Sequence, residues 1–267
     1  GNAVYLAGSQ ALAYQIGAGG AIAINGVAKP LFGSAACSTA LQTLITQPRG
    51  QLLENEYTRI AARSINSQQV LAGALASAPN FDAQLPDTDP ATRQNRPLNR
   101  QLKTVARLIS ARQALGLKRQ VFMVSLGGFD LHDDLTARHP GLLQQVGAAM
   151  AGFQGALDSI GAGASVTTFT ASDFGRTLSS NGDGSDHGWG AHHLVLGGAV
   201  KGGAYYGSAP QTALGGPQDT GQGRLLPTTS VDQFAATLAS WFGVSDTELP
   251  MVMPNIGNFG SRNLGFV

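Results

Sequence analysis

The stretch Val121-Phe122-Met123-Val124-Ser125-Leu126-Gly127-Gly128-Phe129-Asp130-Leu131-His132 opens with six residues that are nearly all apolar. That is the pattern of a strand buried on both faces. Gly127-Gly128 lets the chain turn sharply at its carboxyl end, and Asp130 and His132 are delivered just beyond. Downstream, Leu142, Val146, Met150, Phe153 and Leu157 recur at helical spacing until Gly161, and Ser165 to Thr170 reads as the next strand. Strand, helix and strand in this order predict a βαβ unit with two parallel, neighbouring strands and both loops on one sheet edge. In open α/β sheets that edge is where ligands bind.

The second loop at that edge runs from Ser172 to His193. It is too rich in Gly, Ser and Asn for a packed element, and it carries His187, His192 and His193. The other two histidines are His132 and His139, so all five lie between residues 132 and 193. Carboxylates and imidazoles converging at strand ends suit a divalent metal held through oxygen and nitrogen, of the zinc or manganese type. Side chains of neighbours diverge, so Asp186 and His187 are expected to serve one each of two nearby ions, which would clamp an anionic ester. The alternative is that Asp186 caps a turn, His187 is a hydrogen-bonded loop residue and the glycines only make bends. Arg176 is either a bidentate ligand for a phosphate or sulfate oxygen or a structural partner of a carboxylate such as Asp173. Trp189 either walls the site or packs under the loop. Of His192 and His193, alternation along a strand lets one point inward, and His193 is the choice.

Outside this region the sequence is plainer. Val4, Leu6, Ala21 to Ile24 and Asn25-Gly26 suggest short strands or a hairpin. Gly17 to Gly20 lacks the strand, helix and acidic partner of a nucleotide loop. Helices are expected on both sides of Pro48-Arg49-Gly50, over Ser38 to Ala76, with Ser34 and Ser38 as N-caps. Residues 77–97, with Pro79, Pro86, Pro90 and Pro97, form a linker between a peripheral part, 1–97, and a core, 98–267, both within one expected domain. Leu98 to Leu115 is an amphipathic helix whose polar face takes most of the basic cluster Arg93, Arg96, Arg100, Lys103 and Arg107. A strand over His193 to Val200 and a glycine-rich loop to Arg224 follow. A helix then opens on the capping box Ser230-x-x-Gln233, with Val231, Phe234, Leu238 and Trp241 on its buried face, and stops at Gly243. The tail beyond reads as irregular and surface-like.

Composition narrows the function classes. With 36 glycines and 12% charged residues in 267, the chain is globular but loop-rich. A net charge of +1 with scattered cations argues against nucleic acid. Cys37 is the sole cysteine, which excludes an internal disulfide and a thiolate metal cluster. No apolar run approaches the roughly 20 residues of a membrane span. Asp173-Phe174-Gly175 stands without the other kinase motifs, so a kinase is set aside.

Five motifs in order carry a resemblance to a family: Gly127 to His132, Ser172 to Thr177, Gly184 to Gly190, Gly197 to Gly203 and Thr228 to Gln233. Together they resemble the bacterial DUF1501 family, within the alkaline phosphatase and sulfatase superfamily, over residues 98–260. The resemblance implies a three-layer α/β/α sandwich with a largely parallel central sheet. It implies a bimetallic centre in which Asp130 and His132 serve one ion, Asp186 and His187 are shared across two, and His193 is a late ligand. The ions are expected to be zinc, with manganese or calcium as alternatives. The Asp-x-His spacing at 130–132 is shorter than that superfamily's. The family's upstream segment, with its export signal, first acidic strand and Ser or Thr nucleophile, has no counterpart before Gly1. A C-terminal portion or a form trimmed after export, acting outside the cytoplasm, is therefore expected.

Two functions follow. The first is a metal-dependent hydrolase of phosphate or sulfate esters, small or polymer-linked, with Arg176 assisting and the nucleophile unassigned. The second is an exported binding or assembly protein that keeps the fold without catalysis.

Overall fold

The computed structural model describes residues 16, 17, 20 and 22–267. The strands expected around Val4, Leu6 and Ala21 lie outside these residues. The chain divides into two compact units, residues 1–82 with 100–122, and residues 83–99 with 123–267. This division crosses the boundary expected at residue 97: the Pro-rich residues 83–99 group with the C-terminal unit, and the following helix groups from Arg100 with the N-terminal one.

The N-terminal unit is helical. Helices α1 (Ala35–Thr46) and α2 (Leu52–Ala76) flank the expected break at Pro48 to Gly50. The Ser34 hydroxyl accepts from the Cys37 amide and caps α1. Ser38 does not cap: inside the helix, its hydroxyl donates to the Lys29 carbonyl and accepts from the Leu31 amide, pinning the preceding loop. Asn25 to Val27 is a turn, with the Val27 amide on the Ile24 carbonyl, and no hairpin strand flanks it among the described residues. Helix α3 (Pro97–Ser110) buries Leu98, Leu102, Val105 and Ile109, the stripe read from the sequence. Each such side chain contributes about 1.5–3 kcal/mol. The opposite face is more than a solvated surface, because Lys103 pairs with Asp82, and Arg107 donates to the Leu75 carbonyl at the end of α2.

The sandwich with a parallel central sheet is not what this chain forms. Among the described residues its sheets are two antiparallel pairs, β1 (Thr167–Phe169) with β4 (Val195–Gly197) and β2 (Gly175–Ser180) with β3 (Ser185–Gly188). The βαβ reading fails at its first strand. Residues 121–126 run outside any strand, with Val121 79% and Met123 88% exposed. An apolar run signals burial only when a neighbour covers it, and β1 takes its partner from downstream, through β4. The expected strands at 165–170 and 193–200 are accordingly short.

The helix of the expected unit does form, as α4 (Leu135–Ser159), seven residues earlier than the periodicity suggests. It buries Ala149, Met150, Phe153, Ala156 and Leu157. Residues 83–86 lie tight against it, since a Cβ at Gly152 would stand 2.3 Å from the Gln84 carbonyl oxygen. Helix α5 (Val231–Phe242) starts on the expected capping box, with Ser230 and Gln233 each bonding the other's backbone, and ends at Gly243 in the left-handed region. Its buried residues are Ala236 and Thr237, while Val231 is exposed. Most of the tail is exposed, as expected, but Leu249, Ile256 and Phe266 are buried. Helix α6 (Leu249–Val252) and a 3-10 turn at Ile256–Asn258 close over α5, leaving Ala236, Leu249 and Ile256 almost fully buried as one cluster.

Candidate metal centre

Two segments of the C-terminal unit meet to form the site. Asp130 and His132 flank Leu131, which is 1% exposed, so burying Leu131 turns both polar neighbours outward. The Leu131 carbonyl accepts from the Ser185 amide at 3.3 Å, and the Leu135 amide donates to the Asp183 carbonyl at 3.0 Å. These bonds fasten the start of α4 to the β2–β3 hairpin. Only glycine fits at 184, where a Cβ would stand 2.1 Å from the His132 carbonyl oxygen. Within the hairpin, Arg176 is paired across from His187.

Three ligand atoms converge. Asp130 Oδ1 lies 2.8 Å from His187 Nε2 and 3.0 Å from His132 Nε2, and the two Nε2 atoms are 3.3 Å apart. A tetrahedral zinc ion with bonds of about 2.0 Å sets its ligand atoms about 3.3 Å apart. This trio therefore accepts such an ion after movements of a few tenths of an ångström. All three side chains are about half exposed, which leaves the remaining coordination position open to solvent. Structural zinc sites are closed by four protein ligands, whereas catalytic ones keep a position open.

The surroundings orient the trio. Asp186 Oδ1 lies 3.3 Å from His132 Nδ1 and accepts from Asn181 Nδ2 at 3.0 Å. A carboxylate on the far ring nitrogen fixes an imidazole's tautomer and makes it a better ligand. Phe174 stacks face to face on His187, with centroids 3.9 Å apart and planes 4° from parallel. Arg176 donates through Nη1 to the Ser185 carbonyl and through Nη2 to the Phe129 carbonyl and Asp130 Oδ1. Its two terminal nitrogens are thus engaged by the protein, and the carboxylate it pairs with is Asp130. The hydrogen bond with His187, reinforced by Arg176 and by the electrostatic influence of the two nearby imidazoles, holds the Asp130 carboxyl below the usual carboxylate range.

Of the residues expected to bind metal, the structure brings together Asp130, His132 and His187 and sets Asp186 behind His132. His193 is not in this group. Its Nδ1 faces the Thr170 hydroxyl at 3.4 Å and its ring lies against Phe234. Burial, and secondarily the charge of His192, push its pKa down. His139 sits edge-on to Phe129. Trp189 is 66% exposed, with its Nε1 donating to Thr220 Oγ1 at 3.1 Å, so it does not pack under the loop. Phe174 and Asn181 were not legible as site residues. Asn181 stands five residues before Asp186 in a turn, a signal only once the hairpin is known.

The chain is thus a mixed helical and antiparallel protein with an exposed Asp-His-His cluster. Residues 38–255 match the family model described as a protein of unknown function, DUF1501, and the chain belongs to that family. No curated protein and no solved structure matches it.

Proposed function

We propose that this protein is a metal-dependent hydrolase of phosphate or sulfate esters, with one divalent ion, zinc by preference, held by Asp130, His132 and His187. The observation that carries the reading is the three-ligand trio with an open position, braced by Asp186 on His132 and by Phe174 on His187. An ion there would supply Lewis acidity and a nucleophilic water at neutral pH. This assigns the nucleophile without a Ser or Thr. Arg176 holds Asp130 and two carbonyls, so its part is to position a ligand and to add positive charge beside the ester. The reading shares its chemistry, not its sheet, with the alkaline phosphatase and sulfatase superfamily that the motifs resemble. Action outside the cytoplasm belongs to the same proposal.

The test is metal content by plasma mass spectrometry together with hydrolysis of p-nitrophenyl phosphate and sulfate. Near-stoichiometric metal and turnover in the wild type, both lost in His132→Ala and His187→Ala, are expected. A folded wild type that takes up no zinc, manganese or calcium on dialysis would refute it. The second reading, a non-catalytic binding or assembly protein, draws on the apolar face of α2, where Leu53, Tyr57 and Ile60 are exposed at helical spacing.

A further inference from the structure

Strand β3 is four residues long, and His187 stands one residue from its end. A strand end frays unless its backbone groups are held. Pairing with β2, Arg176 opposite His187, gives one hold. The loop over residues 215–225 gives a second. Arg224 Nε donates to the His187 carbonyl at 3.2 Å, and Trp189 Nε1 donates to Thr220 Oγ1, so this loop grips the chain at 187 and at 189. It also lies along β2, where the Leu178 amide donates to the Gly223 carbonyl and the Ser179 amide to the Gln222 carbonyl. The approach is close: a Cβ at Gly223 would stand 2.5 Å from the Leu178 Cβ.

One carboxylate gathers the loop. Asp219 Oδ1 accepts from the Gly221 and Gly223 amides and Oδ2 from the Gly215 amide, each at 2.8 Å. Hydrogen bonds to an ionised acceptor are about twice as strong as neutral ones. The Gly215 amide, with those of Gly221 and Gly223, holds the Asp219 carboxyl below the usual carboxylate range, so it stays charged at neutral pH. Arg224 follows directly on the Gly223 amide. The Thr220 amide and hydroxyl both donate to its carbonyl, and its Nη1 donates to the Gly221 carbonyl, which leaves Nε directed at His187. An aspartate that only made a turn would need none of this onward chain of contacts.

We propose that Asp219 is a positioning residue for the candidate metal centre, acting through Arg224 on the backbone of His187. Two rotatable bonds separate that backbone from the imidazole, which meets Asp130 Oδ1 through Nε2 and stacks on Phe174. Metal-ligand distances tolerate departures of about 0.2 Å. A His187 carbonyl that drifts farther takes Nε2 out of register with Asp130 and His132. This inference rests on the hydrolase reading for what the metal does, but the placing of His187 stands apart from it.

The His187 ring reports its own position, because the parallel stack on Phe174 moves its ring-proton resonances upfield. NMR of the chelator-treated protein reads these signals without metal, with His187 assigned by their loss in His187→Gln. In Asp219→Asn and in Arg224→Ala they are expected to move toward the positions of an unstacked histidine, while those of His139 stay in place. Since Asp219 acts through Arg224, the double variant should match Arg224→Ala rather than add to it. Zinc Kd, from chelator competition, should rise about tenfold in each single variant, the lower figure for partners that orient a metal ligand. Unmoved His187 signals in folded Arg224→Ala overturn the proposal, even if the urea midpoint falls. Additive shifts in the double variant overturn it too, since Asp219 would then act on the fold at large. A wild type that takes up no metal would remove the hydrolase reading, and the apo spectra would still decide whether Asp219 places His187.

Discussion

Removing the carboxylate behind His132 separates a working metal site from a chance meeting of polar side chains. Asp186 reaches Nδ1 of His132, opposite the nitrogen that faces Asp130 and His187. Partners in this position change metal affinity by about 10–100-fold. The contact here is 3.3 Å, longer than the usual 2.9–3.0 Å of N–H···O bonds, which places the effect near the lower figure. Asp186→Ala should therefore raise the zinc Kd about tenfold, or about 1.4 kcal/mol. Asp186→Asn, which keeps an acceptor and drops the charge, should fall between that variant and the wild type. His132→Ala loses a ligand outright and should bind more weakly than either. The assay is competition against a chromophoric chelator at fixed pH and ionic strength. If Asp186→Ala stays within twofold of the wild type while His132→Ala abolishes binding, Asp186 does not orient His132. If neither variant changes the affinity, the metal lies elsewhere.

Three further outcomes are expected. Gly184→Ala drives a methyl into the His132 carbonyl and should cost about 3 kcal/mol or more, read as a lower urea midpoint; an unchanged midpoint would show that the two segments are not held as described. Ile256→Ala empties a fully buried position in the tail and should cost about 2–5 kcal/mol by the same measurement, whereas a loss under 0.5 kcal/mol would mean the tail does not share the core. His193 has a folded-state pKa below its unfolded value of about 6.5, so the unfolded chain binds the proton more readily. Its contribution is complete above that value and is lost as pH falls through the interval down to the folded pKa. His193→Gln should flatten the drop in Tm between pH 7 and 5, and an identical slope in the variant would count against burial as the cause.

What could be read from the sequence was whatever depends on local pattern. The stripe of α3, the capping box and Gly243 of α5, and the break between α1 and α2 are each set by residues within a few positions of one another. The sheet was misread because strand pairing is a long-range choice. Val121 to Leu126 carries the apolar pattern of a central strand, yet nothing in six residues says whether a neighbour arrives. The three buried positions of the tail escaped for a related reason, since Leu249, Ile256 and Phe266 are too widely spaced to show a period and find their burial on α5. At the site, the residue types at 130, 132, 186 and 187 pointed to metal chemistry. Which of them meet, and that Phe174 backs one of them, follows from the hairpin register, which periodicity does not encode.

The trio also joins parts of the chain that are far apart in sequence: Asp130 and His187 are 57 residues from each other. An ion bound between them would act as a cross-link in a protein whose one cysteine allows no internal disulfide. By the loop-closure relation used for disulfides, tying off a loop of that length lowers the entropy of the unfolded chain by an amount equivalent to about 4 kcal/mol at 25 °C. That is a large share of the stability of a typical domain. Metal supply would then govern how long the protein survives as well as what it can do, with the apo form the first to be cleared.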